Sequence, residues 1–175
     1  MILTVCTRDH YGQASLLQDC LKQHHLEQLF LQGMADDSSH ATLVPDTELA
    51  VTDSGLTHDQ LASLSAKYTP TEFRAALKPG LIKAAFARYP DEQLLLYLDP
   101  TSVVYQPLTT IFDLLAQHNI LLNPHWLYAP PNDGLLPDEK HLQNVGLYSS
   151  GLIGFRRCPE TDRMLDWNQI GRAHV

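Results

Sequence analysis

The sequence predicts an α/β fold in which a mostly parallel sheet is flanked by helices. Three observations predict it. Ile2 to Cys6 reads as a strand, and Leu94 to Asp99 begins as an apolar run too short for a helix core and rich enough for a strand buried on both faces. Segments with apolar residues at helical spacing alternate with such runs, the order that builds parallel sheets. The Leu94 run stops abruptly at a carboxylate, Asp99, followed by Pro100. An acidic residue at the carboxyl end of a buried strand sits where open α/β sheets bind their ligands.

In chain order, Ile2 to Cys6 is the first strand and Thr7 to Tyr11 its loop. Ala14, Leu17, Leu21 and His24 recur at helical spacing, which predicts an amphipathic helix over roughly Tyr11 to His25. Leu26 to Leu31 reads as a second strand interrupted by Glu27 and Gln28. Gly33 to Pro45 is a polar loop, with a further short strand near Ala41 to Val44. Thr57-His58-Asp59-Gln60 and Thr69-Pro70-Thr71-Glu72 both have the form of a capping box, so a helix should begin at each. The second is expected to run toward Leu77, with Pro79 starting or kinking the next, whose face is Leu81, Ile82, Ala85 and Phe86.

After the central strand, Val103 to Tyr105 read as a short strand closed by Pro107. Leu108, Ile111, Phe112 and Leu115 make another helix face, and Ile120 to Leu122 another strand. Prolines at 130, 131 and 137 mark a long loop to about Gln143, a length more often functional than idle. Gly146 to Arg157 is strand-like, and Glu160 to Trp167 begins a final helix. Residues 1–169 therefore form a single domain. Ile170 to Val175 reads as a translated sequencing-adapter sequence, so the natural chain is expected to continue past Gln169.

The composition, 44% hydrophobic and 18% charged over 175 residues, fits one domain with a real core. No window approaches the roughly eighteen apolar residues of a membrane span, and the amino terminus reads as a strand, not a signal peptide. Three widely spaced cysteines, at 6, 20 and 158, fit reduced thiols in a cytoplasmic protein. A net charge of -8 argues against nucleic acid as a partner, which needs a basic footprint.

Four stretches carry a more specific pattern. Val5-Cys6-Thr7 ends the first strand before a helix. Phe73-Arg74-Ala75-Ala76-Leu77-Lys78-Pro79 leads a helix ahead of the central strand. Tyr97-Leu98-Asp99-Pro100-Thr101-Ser102-Val103-Val104 follows, and Tyr148-Ser149-Ser150-Gly151-Leu152-Ile153-Gly154-Phe155 comes after the proline-rich loop. In this order the chain resembles the glycosyltransferases of the Rossmann-like GT-A fold, the nucleotide-diphospho-sugar transferases, and among them the bacterial family-8-like group.

That resemblance implies a nucleotide diphosphate sugar as donor, UDP-linked, and an acceptor it does not identify. It also implies a divalent cation, Mn2+ or Mg2+, held at an Asp-x-Asp motif against the diphosphate as a Lewis acid. Asp99 matches the first carboxylate and so the metal ligand. Thr101 stands where the second would be, a neutral hydroxyl in place of a charge. Ser149 and Ser150, before Gly151, fill a place where the family often has Asn. Cys6 and Thr7 would lie by the nucleotide base, and Lys78 would approach the donor. His125 and Asp133 are candidates for acceptor contact.

Plainer readings stand beside these. Asp-Pro is common in turns, so Asp99 alone is also a strand-end turn residue. Lys before Pro at a helix start is often only solvated. His24 and His25 suit a helix end, His118 and His141 a surface, and Asp36-Asp37 a solvated loop. Cys158 has no neighbouring base to make it a nucleophile. Ser150 lacks a nucleophile elbow, and no Gly-x-Gly-x-x-Gly follows the first strand. The two departures, at Thr101 and at Ser149-Ser150, leave a competing expectation: a non-catalytic module that keeps the fold for binding or assembly.

Overall fold

A computed structural model describes residues 1–24, 27–36, 44, 46–129, 131, 133, 135–136 and 138–171. One six-stranded sheet carries the chain. Its strands are β1 (Ile2–Cys6), β2 (Phe30–Met34), β3 (Glu48–Leu49), β4 (Leu94–Leu98), β5 (Ile120–Pro124) and β6 (Tyr148–Arg156). Their spatial order is β3-β2-β1-β4-β6-β5. The first four are parallel, while β6 runs antiparallel between β4 and β5.

Helices cover both faces. On one side α3 (Pro70–Arg88) and α6 (Pro159–Gly171) meet Leu3, Val5, Leu31, Leu95 and Phe155. On the other, α1 (Tyr11–His24) and α4 (Thr109–Gln117) meet Ile2, Phe30, Leu96 and Leu98. The alternation of side chains along β4 divides Leu95 and Tyr97 from Leu96 and Leu98 in this way. Both capping boxes form. Thr57 starts α2 (His58–Lys67) and Thr69 starts α3, each reciprocated by Gln60 or Glu72. Among the described residues no helix is long and apolar enough to cross a membrane.

Several expectations are corrected. The second strand is Phe30–Met34, displaced from Leu26 to Leu31, because its register is set by pairing from Ile2↔Phe30 to Cys6↔Met34. Polar Gln32 and Gly33 thus lie inside a buried strand. A Cβ on Gly33 would come within 2.8 Å of Leu81, so the glycine lets α3 approach. Val103 to Tyr105 form no strand, since β1 and β6 already occupy both edges of β4. Instead Val104 is buried and Tyr105 is exposed.

Pro79 neither starts nor breaks a helix; α3 is continuous through it. An internal proline costs about 3 kcal/mol, and burial of the run from Ala76 to Ile82 offsets it. Gly80 in that run packs so closely that a Cβ would lie 2.2 Å from the Ser54 carbonyl oxygen. The sequence pattern does not announce β3, nor α5 (Glu139–Val145), which Asp138 caps by accepting from the His141 N–H at 2.7 Å. Ala41 to Leu43 of the expected strand near Ala41 to Val44, and Arg172 to Val175 of the suspected tail, lie outside the described residues, as do His25, Asp37 and prolines 130 and 137.

Arg157, just past β6, fastens the edge where β4 begins. Its guanidinium donates to the carbonyls of Phe86, Tyr89 and Glu92 and stacks 4.8 Å over the Phe86 ring.

Candidate functional site

The parallel strands all end at one edge, and β5 points the same way because β6 pairs antiparallel with both β4 and β5. At that edge the sequence places a turn-forming carboxylate. Asp99 follows β4, its N–H donating to the Gly151 carbonyl of β6 at 2.8 Å. Its Oδ1 accepts from the Thr101 N–H at 3.2 Å and the Thr101 hydroxyl at 2.9 Å, while Ser102 N–H closes the turn on the Asp99 carbonyl. Thr101 is thereby a turn partner of Asp99, the arrangement Asp-x-Thr favours locally.

Across the seam, Ser149 Oγ accepts from the Gly151 N–H at 3.2 Å. A Cβ on Gly151 would come 3.8 Å from the Asp99 side chain, so the two loops pack backbone against carboxylate. Lys78 of α3 reaches the same place. Its ammonium lies 4.3 Å over the Tyr97 ring and donates to the Ser150 carbonyl at 3.1 Å. Lys78 is 8% exposed, which removes the solvated reading of this residue. Lys78, Tyr97 and Ser150 line one end of a cavity of about 400 Å³ that continues between α3 and α6 past Ile82, Phe155 and Leu165. That volume is in the range of small-molecule pockets.

Asp99, Thr101, Ser149, Ser150, Gly151 and Lys78 are therefore brought together. Cys6 ends β1 and Thr7 follows it, on the strand next to β4 along the same edge. The Cys6 side chain faces the core, its thiol against Met34 Sδ at 3.9 Å, and its carbonyl accepts from Ala35. Burial first, then the Asp36 and Glu48 carboxylates, with Arg74 opposing them, push that thiol up to about 11. Thr7 Oγ1 bonds His10 Nδ1 at 2.9 Å. His125 is exposed after β5, its N–H on the Leu147 carbonyl, and Asp133 accepts from the Leu135 N–H at 3.0 Å.

Two residues join the edge that the sequence reading passed over. Tyr97 is wholly buried beneath Lys78, and its hydroxyl finds no partner among the described residues. Burial first, then the Asp99 charge, holds its proton on far above the ordinary range, with Arg74 again opposing. Arg74, half-buried, precedes Lys78 by one helical turn. The signal was the i, i+4 spacing of two basic residues on a helix leading into the central strand.

The edge offers a divalent cation one carboxylate, Asp99, where the resemblance implies two. Mg2+ is octahedral, keeps several waters and is held through one or two carboxylates together with substrate phosphates. Here Asp99 stands without a second acid in its turn, and its Oδ1 is already occupied by two donors. Among the described residues no three His, Cys, Asp or Glu side chains group to hold a metal ion.

This architecture is shared with solved glycosyltransferases. The galactosyltransferase LgtC, solved with donor and acceptor sugar analogs, matches 99% of the chain at 12% identity with a TM-score of 0.50. An active-site mutant of LgtC matches 89% of the chain at the same score. Mouse xyloside xylosyltransferase 1 matches 98% at 11% identity and a TM-score of 0.51. The chain spans 60% of the length of the LgtC chain and 73% of the mouse enzyme. No protein-family model and no curated protein matches the sequence. The fold is the GT-A fold of glycosyltransferases; at these identities the likeness speaks for architecture, and the site residues speak for chemistry.

Proposed function

We propose that the chain is a glycosyltransferase domain that takes a sugar from a nucleotide diphosphate sugar, with UDP as the nucleotide, and works in the cytoplasm of a bacterium. The convergence of Asp99, Ser149 to Gly151 and Lys78 at the carboxyl edge of a GT-A sheet carries this reading. In the reaction, the bond from the sugar's anomeric carbon to the diphosphate oxygen breaks. A bond to an acceptor hydroxyl oxygen forms, and that hydroxyl loses its proton. Charge accumulates on the departing diphosphate, so fixed positive charge at the edge lowers the barrier, and positioning does most of the rest. The Asp99 carboxylate and the Ser149 and Ser150 hydroxyls suit the hydroxyl groups of the donor.

One observation favours the second reading, a binding or assembly module without turnover: the lone carboxylate is closed into its own turn. Calorimetric titration of the chain with UDP, together with release of UDP from UDP-glucose and UDP-galactose, separates the two. Binding with turnover supports the enzyme, and binding without turnover supports the module. Absence of UDP binding both in EDTA and in manganese would defeat the enzyme and a nucleotide-binding module alike.

A further inference from the structure

We propose that this donor site works without a divalent cation, and that Arg74, with Lys78 behind it, supplies the positive charge that meets the diphosphate. The inference rests on the donor-site reading above and adds how that site handles its charge.

The placement of Arg74 follows from how α3 lies on the sheet. Near the end of α3, the carbonyls of Phe86 and Tyr89 meet Arg157, whose N–H in turn bonds Gln93 just before β4. Nearer its start, Lys78 meets Tyr97 and Ser150 at the other end of β4. The helix therefore runs antiparallel to β4, its amino end toward the edge that carries Asp99. From Lys78 to Arg74 is four residues, about 6 Å along the helix. From Tyr97 to Asp99 is two residues, about 6.6 Å along the strand. Arg74 thus stands over the edge at the level of Asp99, as Lys78 stands at the level of Tyr97.

Its chemical state points the same way. Arg88, Arg156, Arg157 and Arg163 each donate to a carboxylate, amide or carbonyl. The Arg74 guanidinium is half-buried and makes no hydrogen bond or ion pair among the described residues. Its field is felt at both the Cys6 thiol of β1 and the Tyr97 hydroxyl of β4. A planar fork of donors left unpaired beside a carboxylate-poor turn suits a bidentate phosphate group. A cation here would have Asp99 alone, without the second acid that Thr101 replaces.

Titrating UDP by calorimetry, first in EDTA and then in manganese, tests this with a readout independent of turnover. UDP affinity should agree within about twofold between the two buffers. Arg74→Gln should weaken it by about ten- to hundredfold, the worth of charge-assisted hydrogen bonds, and Arg74→Lys should fall between. Thermal melts of both variants check that the fold is kept; since Arg74 makes no hydrogen bond or ion pair among the described residues, both should melt with the unmodified chain. UDP binding that appears only with manganese, or that survives Arg74→Gln unchanged, overturns the proposal and leaves the donor site standing. No binding in either buffer defeats the donor-site reading itself.

Discussion

The two halves of the sheet are built differently. In β1 and β2 every residue is buried, as are Leu95 to Leu98 of β4, because helical crossovers cover both faces of a parallel sheet. In β5 the middle residues Leu122 and Asn123 are exposed, and β6 begins with an exposed Tyr148. The excursion joining them leaves Leu127 at 81% and Tyr128 at 85% exposure. The parallel half is a sealed platform that fixes where strands end, and the antiparallel half is an open margin. The candidate site lies on the seam between them, where β4 meets β6.

The contrast can be broken most severely from the platform side. Gly80→Ala puts a methyl group 2.2 Å from the Ser54 carbonyl oxygen, against backbone that cannot rotate away. We expect a loss of more than about 3 kcal/mol in urea unfolding, even though alanine is the better helix former. An alanine tolerated there would mean that α3 and the 51–54 turn are not closely packed.

A pH titration probes the same half more gently. The Cys6 thiol, held at about 11 by burial and by Asp36 and Glu48 against the pull of Arg74, loses its proton more easily once unfolded, where the ordinary value is 9.0. The folded state therefore binds that proton more tightly. Its contribution is fully present below about pH 9 and lost as pH rises toward 11, up to about 3 kcal/mol. Unfolding curves of the protein and of Cys6→Ala should diverge in slope across that window; parallel curves would place the thiol outside the sealed core.

The smallest effect belongs to the margin. Leu127→Ser, on a side chain 81% exposed, should change unfolding free energy by less than about 0.5 kcal/mol. A larger loss would show that the margin is packed in solution.

Much of the platform was legible because buried parallel strands are written as apolar runs and helices as spaced apolar faces. Ile2 to Cys6, Leu94 to Leu98 and both capping boxes needed no tertiary knowledge. What misled were positions where packing overrules composition. Gln32 and Gly33 look like loop residues, yet pairing with β1 and the approach of Leu81 make them strand. Pro79 looks like a break, yet burial on both sides keeps α3 whole. In the site, Asp99, Lys78 and Ser149 to Gly151 could be named from the sequence, but not that Thr101 bonds Asp99 itself. Arg74 escaped because its role depends on the direction of α3, which no local pattern encodes.

Strand β6 is tied to α3 near both of its ends, by Arg157 at one edge and Lys78 at the other. In each case the acceptor is a backbone carbonyl. Carbonyls carry no titratable proton, and neither tie depends on a carboxylate being ionised. The distance between the Asp99 turn and the Ser149 to Gly151 strand is thus set by contacts that acid does not remove and salt only weakly screens, so the shape of the edge should outlast the loss of charge on Asp99.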